Sequence, residues 1–421
     1  MKSALLQDLK YRGLIHDATD LEGLDELMSN EQVTVYVGFD PTADSLHIGH
    51  LLPIIMLKRF QQAGHKPIAL IGGATGMIGD PSGRTTERQL QSVETIQENV
   101  KAIKNQLTKY LDFDGDNAAI IVNNYDWTHN LSVLDFLRDY GKHFGINYML
   151  AKETIASRLE TGISYTEFSY TILQAMDFNY LFKTYNCRLQ VGGSDQWGNI
   201  ISGLDLIRKL HGQEEKVYGL TVPLVTKADG SKFGKTAEGT IWLDPKKTTP
   251  YELYQFFINT ADEDVIHFLK IFTFLEREEI EALEEKVKTE PHLREAQKTL
   301  AREVVTFVHG ERAYEQAVRI TEALFSGDVK QLDKREIETA FKGVPSIELG
   351  EPTDIVTALV LCGAASSKRQ AREFLSNNSI RVNGEAINDM NLTVDRSVAI
   401  GDDYVVIRRG KKNYYLIRLG F

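Results

Sequence analysis

The first two hundred residues alternate two kinds of apolar pattern. Short β-branched, aromatic or apolar runs at Val33–Val37, Pro67–Ile71, Ala118–Val122 and Arg188–Val191 predict strands. Between them, longer stretches with helical spacing predict helices from Leu46 to about Gln62, from Thr86 to Leu111, and over 131–144, 165–185 and 199–210. Pro53 lies inside the first of these and is expected to bend it, because it lacks an N–H. Such alternation implies an α/β fold, a Rossmann-like parallel sheet covered on both faces, with ligands beyond the carboxyl ends of the strands. Three loops fall at that position: 38–50, 72–84 and 192–198.

From Pro250 to Phe325 the pattern turns helical, over 251–259, 264–275, 278–287 and 293–324. Residues 326–353 lack a strong period and hold Gly327, Gly343, Pro345, Gly350 and Pro352, which predicts a connecting segment. A small α+β tail follows, with helices at 355–361 and 367–377 and strands at 380–382, 404–407 and 414–417. The expected division is a catalytic domain over 1–225, a loop and helical domain over 226–325, a linker over 326–353 and the tail over 354–421.

Composition narrows the class. A hydrophobic content of 42% and a charged content of 25% are ordinary for globular chains and exclude a wholly disordered or fibrous one. The apolar run Leu51–Leu57 is far short of the roughly 20 residues a membrane helix needs. Asp8 and Lys10 interrupt the segment where a signal peptide requires apolar residues, so a soluble cytoplasmic protein without membrane partners is expected. Two cysteines, Cys187 and Cys362, exclude a disulfide framework and a structural zinc site built from cysteines alone. The net charge of −11 is uneven. Residues 354–421 hold ten Lys/Arg against seven Asp/Glu, a net +3, leaving −14 on the rest. A basic tail on an acidic body hints at a nucleic-acid-binding appendage.

Two clusters carry candidate chemistry. His47-Ile-Gly-His50 falls at a predicted helix start, where unpaired N–H groups and the positive dipole end favour a phosphate. Gly49 removes a side chain where a nucleotide would lie against the backbone. The second cluster, Lys232-Phe-Gly-Lys235-Thr236, places two lysines three apart on a glycine-containing loop, a dense cationic clamp. It is not a P-loop, because three residues rather than four separate Gly230 from Gly234. Gly73-Ala-Thr-Gly76 likewise lacks the spacing of a dinucleotide fingerprint. No third ligand accompanies the histidine pair, so no metal site is expected.

The two clusters together resemble the HIGH and KMSKS motifs of the class I aminoacyl-tRNA synthetases, the second reading KFGKT here. With Tyr36-Val-Gly-Phe-Asp-Pro-Thr42, Gly79-Asp-Pro-Ser-Gly83, Tyr165-Thr-Glu-Phe-Ser-Tyr170 and Val191-Gly-Gly-Ser-Asp-Gln-Trp-Gly-Asn199, the chain looks like the bacterial tyrosyl-tRNA synthetases over essentially its whole length. The resemblance implies that Tyr36 and Asp177 bond a substrate phenol, and that Asp80, Tyr170 and Gln174 hold its ammonium group. Tyr170, Gln174 and Asp177 share one helix face by spacing. It implies an adenylate cradle of Gly38, Asp40, Gly49, Gly192, Asp195 and Gln196, with Gln196 near the reacting carboxylate. His47, His50, Lys232, Lys235, Thr42 and Thr236 are the implied donors to the phosphates, with Arg84 and Arg88 on a neighbouring loop.

The implied substrates are L-tyrosine, ATP with Mg²⁺, and tRNA(Tyr). A homodimer formed through an insertion in the first domain is also implied, and no editing domain. In the tail, Ser366 to Glu385 resembles an S4-type RNA-binding domain, with Lys368, Arg369, Arg372, Arg408, Arg409, Lys411 and Lys412 toward phosphates. The alternatives are a tryptophanyl enzyme, a HIGH-containing nucleotidylyltransferase and an S4-domain regulator without activity. Tyr36, Asp177 and the tail argue against the first, the length of the chain and its tail against the second, and the intact histidines and lysines against the third.

Overall fold

A computed structural model describes residues 1–421. The chain forms two compact units, Met1–Thr248 with Thr260–Leu300, and Thr249–Asn259 with Ala301–Phe421.

The first unit is built on a six-stranded sheet of β1 (Asp17–Ala18), β2 (Thr34–Phe39), β3 (Lys66–Ile71), β4 (Ile120–Asn123), β5 (Cys187–Gly193) and β6 (Tyr218–Val222), in the order β1-β6-β5-β2-β3-β4. All neighbours are parallel except the edge strand β1, which runs antiparallel to β6. Around the sheet stand α1 (Ala4–Tyr11), α2 (Leu21–Asn30), α3 (Leu51–Gln62), α4 (Val93–Leu107), α5 (Tyr165–Tyr185) and α6 (Trp197–His211). Burial on both faces explains why β2 and β3 read as near-continuous apolar runs. The strand order reverses between β2 and β5, and a crevice opens beyond their carboxyl ends.

The predicted strands and the helix 165–185 are present, the latter capped by Ser164 and ended by a left-handed Asn186. Other expectations change. The helix expected from Thr86 starts at Val93, where Ser92 supplies the cap. The preceding backbone is drawn off into tertiary bonds, Arg88 N donating to Glu167 Oε1 at 2.9 Å. The helix expected over 131–144 is present as one unbroken helical stretch, 133–143, whose winding changes from α to π to 3₁₀. Pro53 falls in the first turn of α3, where a helix N–H has no partner to lose, so the expected bend has no cause. The single helix expected over 293–324 is two, parted at Gly310 with φ +92°.

Strand β6 was not foreseen, because Gly219 interrupts its apolar run. A Cβ there would lie 2.3 Å from Ile200 of α6, so the gap in the sequence pattern is a packing requirement. After β6 come a two-stranded hairpin, β7 (Lys235–Thr236) with β8 (Gly239–Thr240), and helix α7 (Asp262–Phe272).

In the second unit, α8 (Glu311–Ser326) leads into α9 (Lys334–Ala340), β9 (Ser346–Leu349), β10 (Thr353–Asp354), α10 (Ile355–Leu361), α11 (Lys368–Ser376), β11 (Ile380–Val382), β12 (Glu385–Ala386), β13 (Thr393–Val394), β14 (Tyr404–Arg409) and β15 (Asn413–Leu419). A five-stranded sheet runs β12-β11-β14-β15-β9, and β10 pairs with β13. One face packs Val405, Ile407 and Ile417 on α10 and α11. The other packs Tyr404, Val406 and Leu416 on Ile320, Ala323, Val329, Leu332, Ile337 and Phe341. The stretch 326–353, expected as a linker, is therefore a folded layer. Its β9 pairs in parallel with β15, and its glycines mark turns rather than a tether.

Candidate active site

Beyond the ends of β2 and β5 lies a cavity of about 510 Å³. Its lining includes Tyr36, Gly38, Asp40, Thr42, His47, Gly49, His50, Asp80, Arg84, Arg88, Tyr170, Gln174, Asp177, Gly192, Asp195 and Gln196. The three loops expected at the sheet's carboxyl edge thus converge on one space. Lys232, Lys235 and Thr236 do not line it; they are exposed on the hairpin beside the histidine turn.

Tyr36, on β2, is 1% exposed, and its hydroxyl has no protein partner. Asp177, on α5, is 2% exposed and accepts from Asn124 Nδ2 and Trp127 Nε1, both at 3.0 Å. Burial pushes its pKa up to about 7 against those two bonds, and its charge acts on Tyr36 in turn. A buried hydroxyl without a partner beside a buried carboxyl describes a cavity end shaped for one more hydroxyl.

Nearer the mouth the carboxylates crowd. Asp40 accepts from Tyr170 Oη and Thr75 Oγ1, each at 2.7 Å, yet burial still raises it to about 6. A Cβ on Gly72 would lie 2.0 Å from Asp40 Oδ1, so that glycine is what admits the carboxylate. Asp80 accepts from Gln196 Nε2 at 2.9 Å, Gln196 accepts from Gln174 Nε2 at 3.2 Å, and Gln174 accepts from Gln190 Nε2 at 3.1 Å. Burial, with Asp80 nearby, raises Asp195 as well. Such a wall favours a cation.

The histidine turn is a 3₁₀ segment, Ile48–His50, rather than the first turn of an α-helix. His47 Nδ1 accepts from Gly49 N, and His50 Nδ1 accepts from His47 N, each at 3.0 Å. Burial, with Lys235 beside it, lowers the pKa of His47; burial, with His47 beside it, lowers His50 to about 3. Both rings are therefore neutral, and their protons are confined to Nε2, two N–H donors 3.9 Å apart by ring centroid. A Cβ on Gly49 would lie 2.7 Å from the His47 ring, so this glycine makes room for the histidine, and it also lines the cavity. Gly38 has open space where its Cβ would be.

The two motifs meet directly. Gly234, with φ +87°, would place a Cβ 2.5 Å from Ile48 Cγ2, and Ile48 N donates to Ile241 O at 2.9 Å. Of the two arginines, Arg84 is exposed on the cavity rim, whereas Arg88 Nε is tied to Asp80 O at 3.0 Å.

Thr75, Asn124, Trp127 and Gln190 were not foreseen. Each supports a foreseen residue, and no motif marks them. The only signal was place: Thr75 stands in the glycine-rich loop after β3, and Asn124 follows β4 directly.

The seven basic tail residues do not share one face. Lys368, Arg369 and Arg372 are exposed on α11, and Lys411 and Lys412 in the β14–β15 turn. Strand alternation sends Arg408 to the α8–α9 side and Arg409 to the α11 side. Arg409 is already engaged, donating to Ala364 O at 2.8 Å and lying over Phe374 and Tyr415.

Comparison with known proteins agrees in family. Residues 28–326 match the family model for class I tRNA synthetases (W and Y), and residues 336–417 match the tyrosine–tRNA ligase SYY-like C-terminal domain. The chain is 58% identical to tyrosine–tRNA ligase of Staphylococcus carnosus, over 99% of this chain and 100% of that one. It is 57% identical to tyrosine–tRNA ligase 2 of Bacillus cereus, over 99% and 100%. Among solved structures, a C-terminally truncated mitochondrial tyrosyl-tRNA synthetase of Aspergillus nidulans matches with a TM-score of 0.71 at 34% identity, covering 77% of this chain and 95% of that one.

Proposed function

The chain belongs to the class I tRNA synthetases of the tryptophan and tyrosine family, and from that premise we propose that it is a tyrosine–tRNA ligase. It activates L-tyrosine with ATP, releasing pyrophosphate, and passes the tyrosyl group to the 3′-terminal adenosine of tRNA(Tyr). One observation carries the choice of amino acid: the unpartnered Tyr36 hydroxyl beside Asp177 at the cavity's buried end. A substrate phenol donates to Asp177 and satisfies Tyr36. Phenylalanine would leave the Tyr36 hydroxyl unpaired and Asp177 with Asn124 and Trp127 alone, and a buried polar group without a partner is costly.

The substrate ammonium sits against the acidic wall. Asp80 and Gln174 accept from it, and Tyr170, whose proton goes to Asp40, offers a lone pair. The tyrosine carboxylate attacks the α-phosphorus; an O–P bond forms and the bond to pyrophosphate breaks. No general base is needed, because the nucleophile is already ionised. The chain's task is alignment and stabilisation of charge on the leaving phosphates. His47 and His50 supply Nε2–H donors; Lys232, Lys235, Thr42 and Thr236 close from the hairpin and the β2 loop, with Arg84 at the rim. Gly38 leaves the backbone open to the adenylate, Gly192 lines the same cavity with its absent side chain making room for Gln196 and Ile200, Asp40 and Asp195 face the sugar side, and Gln196 lies near the reacting carboxylate. Mg²⁺ arrives with the ATP phosphates as part of the substrate.

Lys368, Arg369 and Arg372 on α11, with Lys411 and Lys412, meet tRNA phosphates. The chain pairs with a second copy through the segment 131–165. Val133 (73% exposed), Leu134 (77%) and Ile146 (64%) leave there an apolar surface that a monomer has no reason to keep. Its likeness to bacterial tyrosine–tRNA ligases supports a place in the cytoplasm.

Pyrophosphate exchange into ATP, measured with each amino acid in turn, tests the assignment. Tyrosine alone should drive it; exchange driven by tryptophan, or by no amino acid, removes the proposal.

A further inference from the structure

Helix α3 follows directly on His50 and carries Arg59 in its last turn. Arg59 is 4% exposed, and its Nη2 donates to the carbonyls of Lys270 (3.3 Å), Ile271 (3.3 Å) and Thr273 (2.6 Å). Arg12, on the loop after α1 and 3% exposed, donates through Nη1 to Lys270 O (3.0 Å) and Thr273 O (3.1 Å). These carbonyls end α7, where the helix has no N–H of its own to offer them and where its dipole is negative. The Arg59 guanidinium also lies 4.9 Å over the Phe274 ring. Burial, with Arg12 beside it, lowers Arg59 to about 9, so it keeps its proton at neutral pH; Asp8 pairs with Arg12 at 2.8 Å.

Helix α7 in turn presents Phe268 and Phe272, one turn apart, to Phe233, with ring centroids at 5.2 and 5.3 Å. Phe233 stands between Lys232 and Lys235, and the next residue, Gly234, abuts Ile48 of the histidine turn. The contacts close a circuit: the histidine turn, the lysine hairpin, α7, and α3 back to the histidine turn. Every member lies in the first compact unit.

We propose that Arg59, together with Arg12, is a positioning residue for amino-acid activation: by gripping the carboxyl end of α7 it sets where Phe268 and Phe272 hold the Lys232–Lys235 hairpin relative to His47 and His50. The inference rests on the function proposed above. Neither arginine touches substrate; both act through Phe233.

A double-mutant cycle tests it, using the full-length chain. Arg59→Lys keeps the charge, but the shorter side chain draws its ammonium back from the three carbonyls that Nη2 reaches and loses the flat guanidinium over Phe274. R59K and, separately, Phe233→Leu should each lower kcat of tyrosine-dependent exchange by about tenfold. Tyrosine affinity, read by fluorescence titration, should move by less than about twofold. The double variant should fall little below the worse single one, because both break the same link. Effects that multiply, or a tyrosine affinity that falls in step with kcat, overturn the proposal. Should R59K fail to fold, Arg12→Lys enters the same cycle, since it holds two of the same carbonyls. A parent chain without tyrosine-dependent exchange removes the functional premise and this proposal together; an active parent with an additive cycle removes this proposal alone.

Discussion

Asp177 is where residue chemistry is most exposed to test. Its folded pKa of about 7 lies above that of an unfolded aspartate. Between those two values the native state holds a proton that the unfolded state has lost, so stability falls as pH rises through that window and levels off above about 7. The ligand-free chain is therefore weakened at neutral pH by the same carboxylate that the phenol needs. Tyrosine should bind more tightly as pH rises from about 6 to about 8, because the ionised form is the better acceptor. Asp177→Asn should flatten that dependence, weaken tyrosine binding, and improve the thermal midpoint more at the upper end of the range than at the lower. A parent chain with pH-independent tyrosine affinity there would contradict the assignment. The sequence made Asp177 legible through its spacing from Tyr170 and Gln174, and through the family resemblance. It could not reveal Asn124 and Trp127, which arrive from a different strand's end and meet Asp177 only in the folded chain.

At the scale of elements, motif residues were legible and the contacts between motifs were not. The hairpin lysines were visible as a pair, but the reason for the intervening glycine lies in Ile48, nearly two hundred positions earlier in the chain. Gly234→Ala adds a methyl at 2.5 Å from Ile48 Cγ2 on a backbone with φ +87°, so it is opposed by both sterics and conformation. The hairpin should swing off the histidine turn. Exchange kcat is expected to fall by roughly tenfold or more, whereas tyrosine affinity stays within about twofold, since no tyrosine contact is touched. Equal losses in both would show that the hairpin also shapes the amino-acid pocket. Glycine misled the reading in the opposite sense elsewhere. Gly219 hid a central strand, and Gly343 and Gly350 made a folded layer look like a tether, because a residue without a side chain reads alike whether it frees the backbone or makes room for a neighbour.

For the whole molecule, the alternation of strands and helices was enough to place three loops at one sheet edge, and the charge asymmetry was enough to single out the tail. What composition could not do was sort the tail's charges by task. Arg409 is bonded to Ala364 O and lies over Phe374 and Tyr415, so it holds α11 to the sheet; Lys368 and Arg372 are exposed on α11. Removing charge at the two places should therefore have different consequences. Lys368→Ala with Arg372→Ala should leave tyrosine-dependent exchange and the unfolding midpoint unchanged. It should lower kcat/KM for tRNA by roughly tenfold and make its salt dependence shallower, as expected when about two phosphate contacts are lost. Arg409→Ala should instead lower the midpoint of the second unit, because it strips a carbonyl of its donor and two rings of their cation. If the double variant lost exchange together with charging, the tail would be acting on the activation site itself, and a separation of activation in one unit from tRNA binding in the other could not stand.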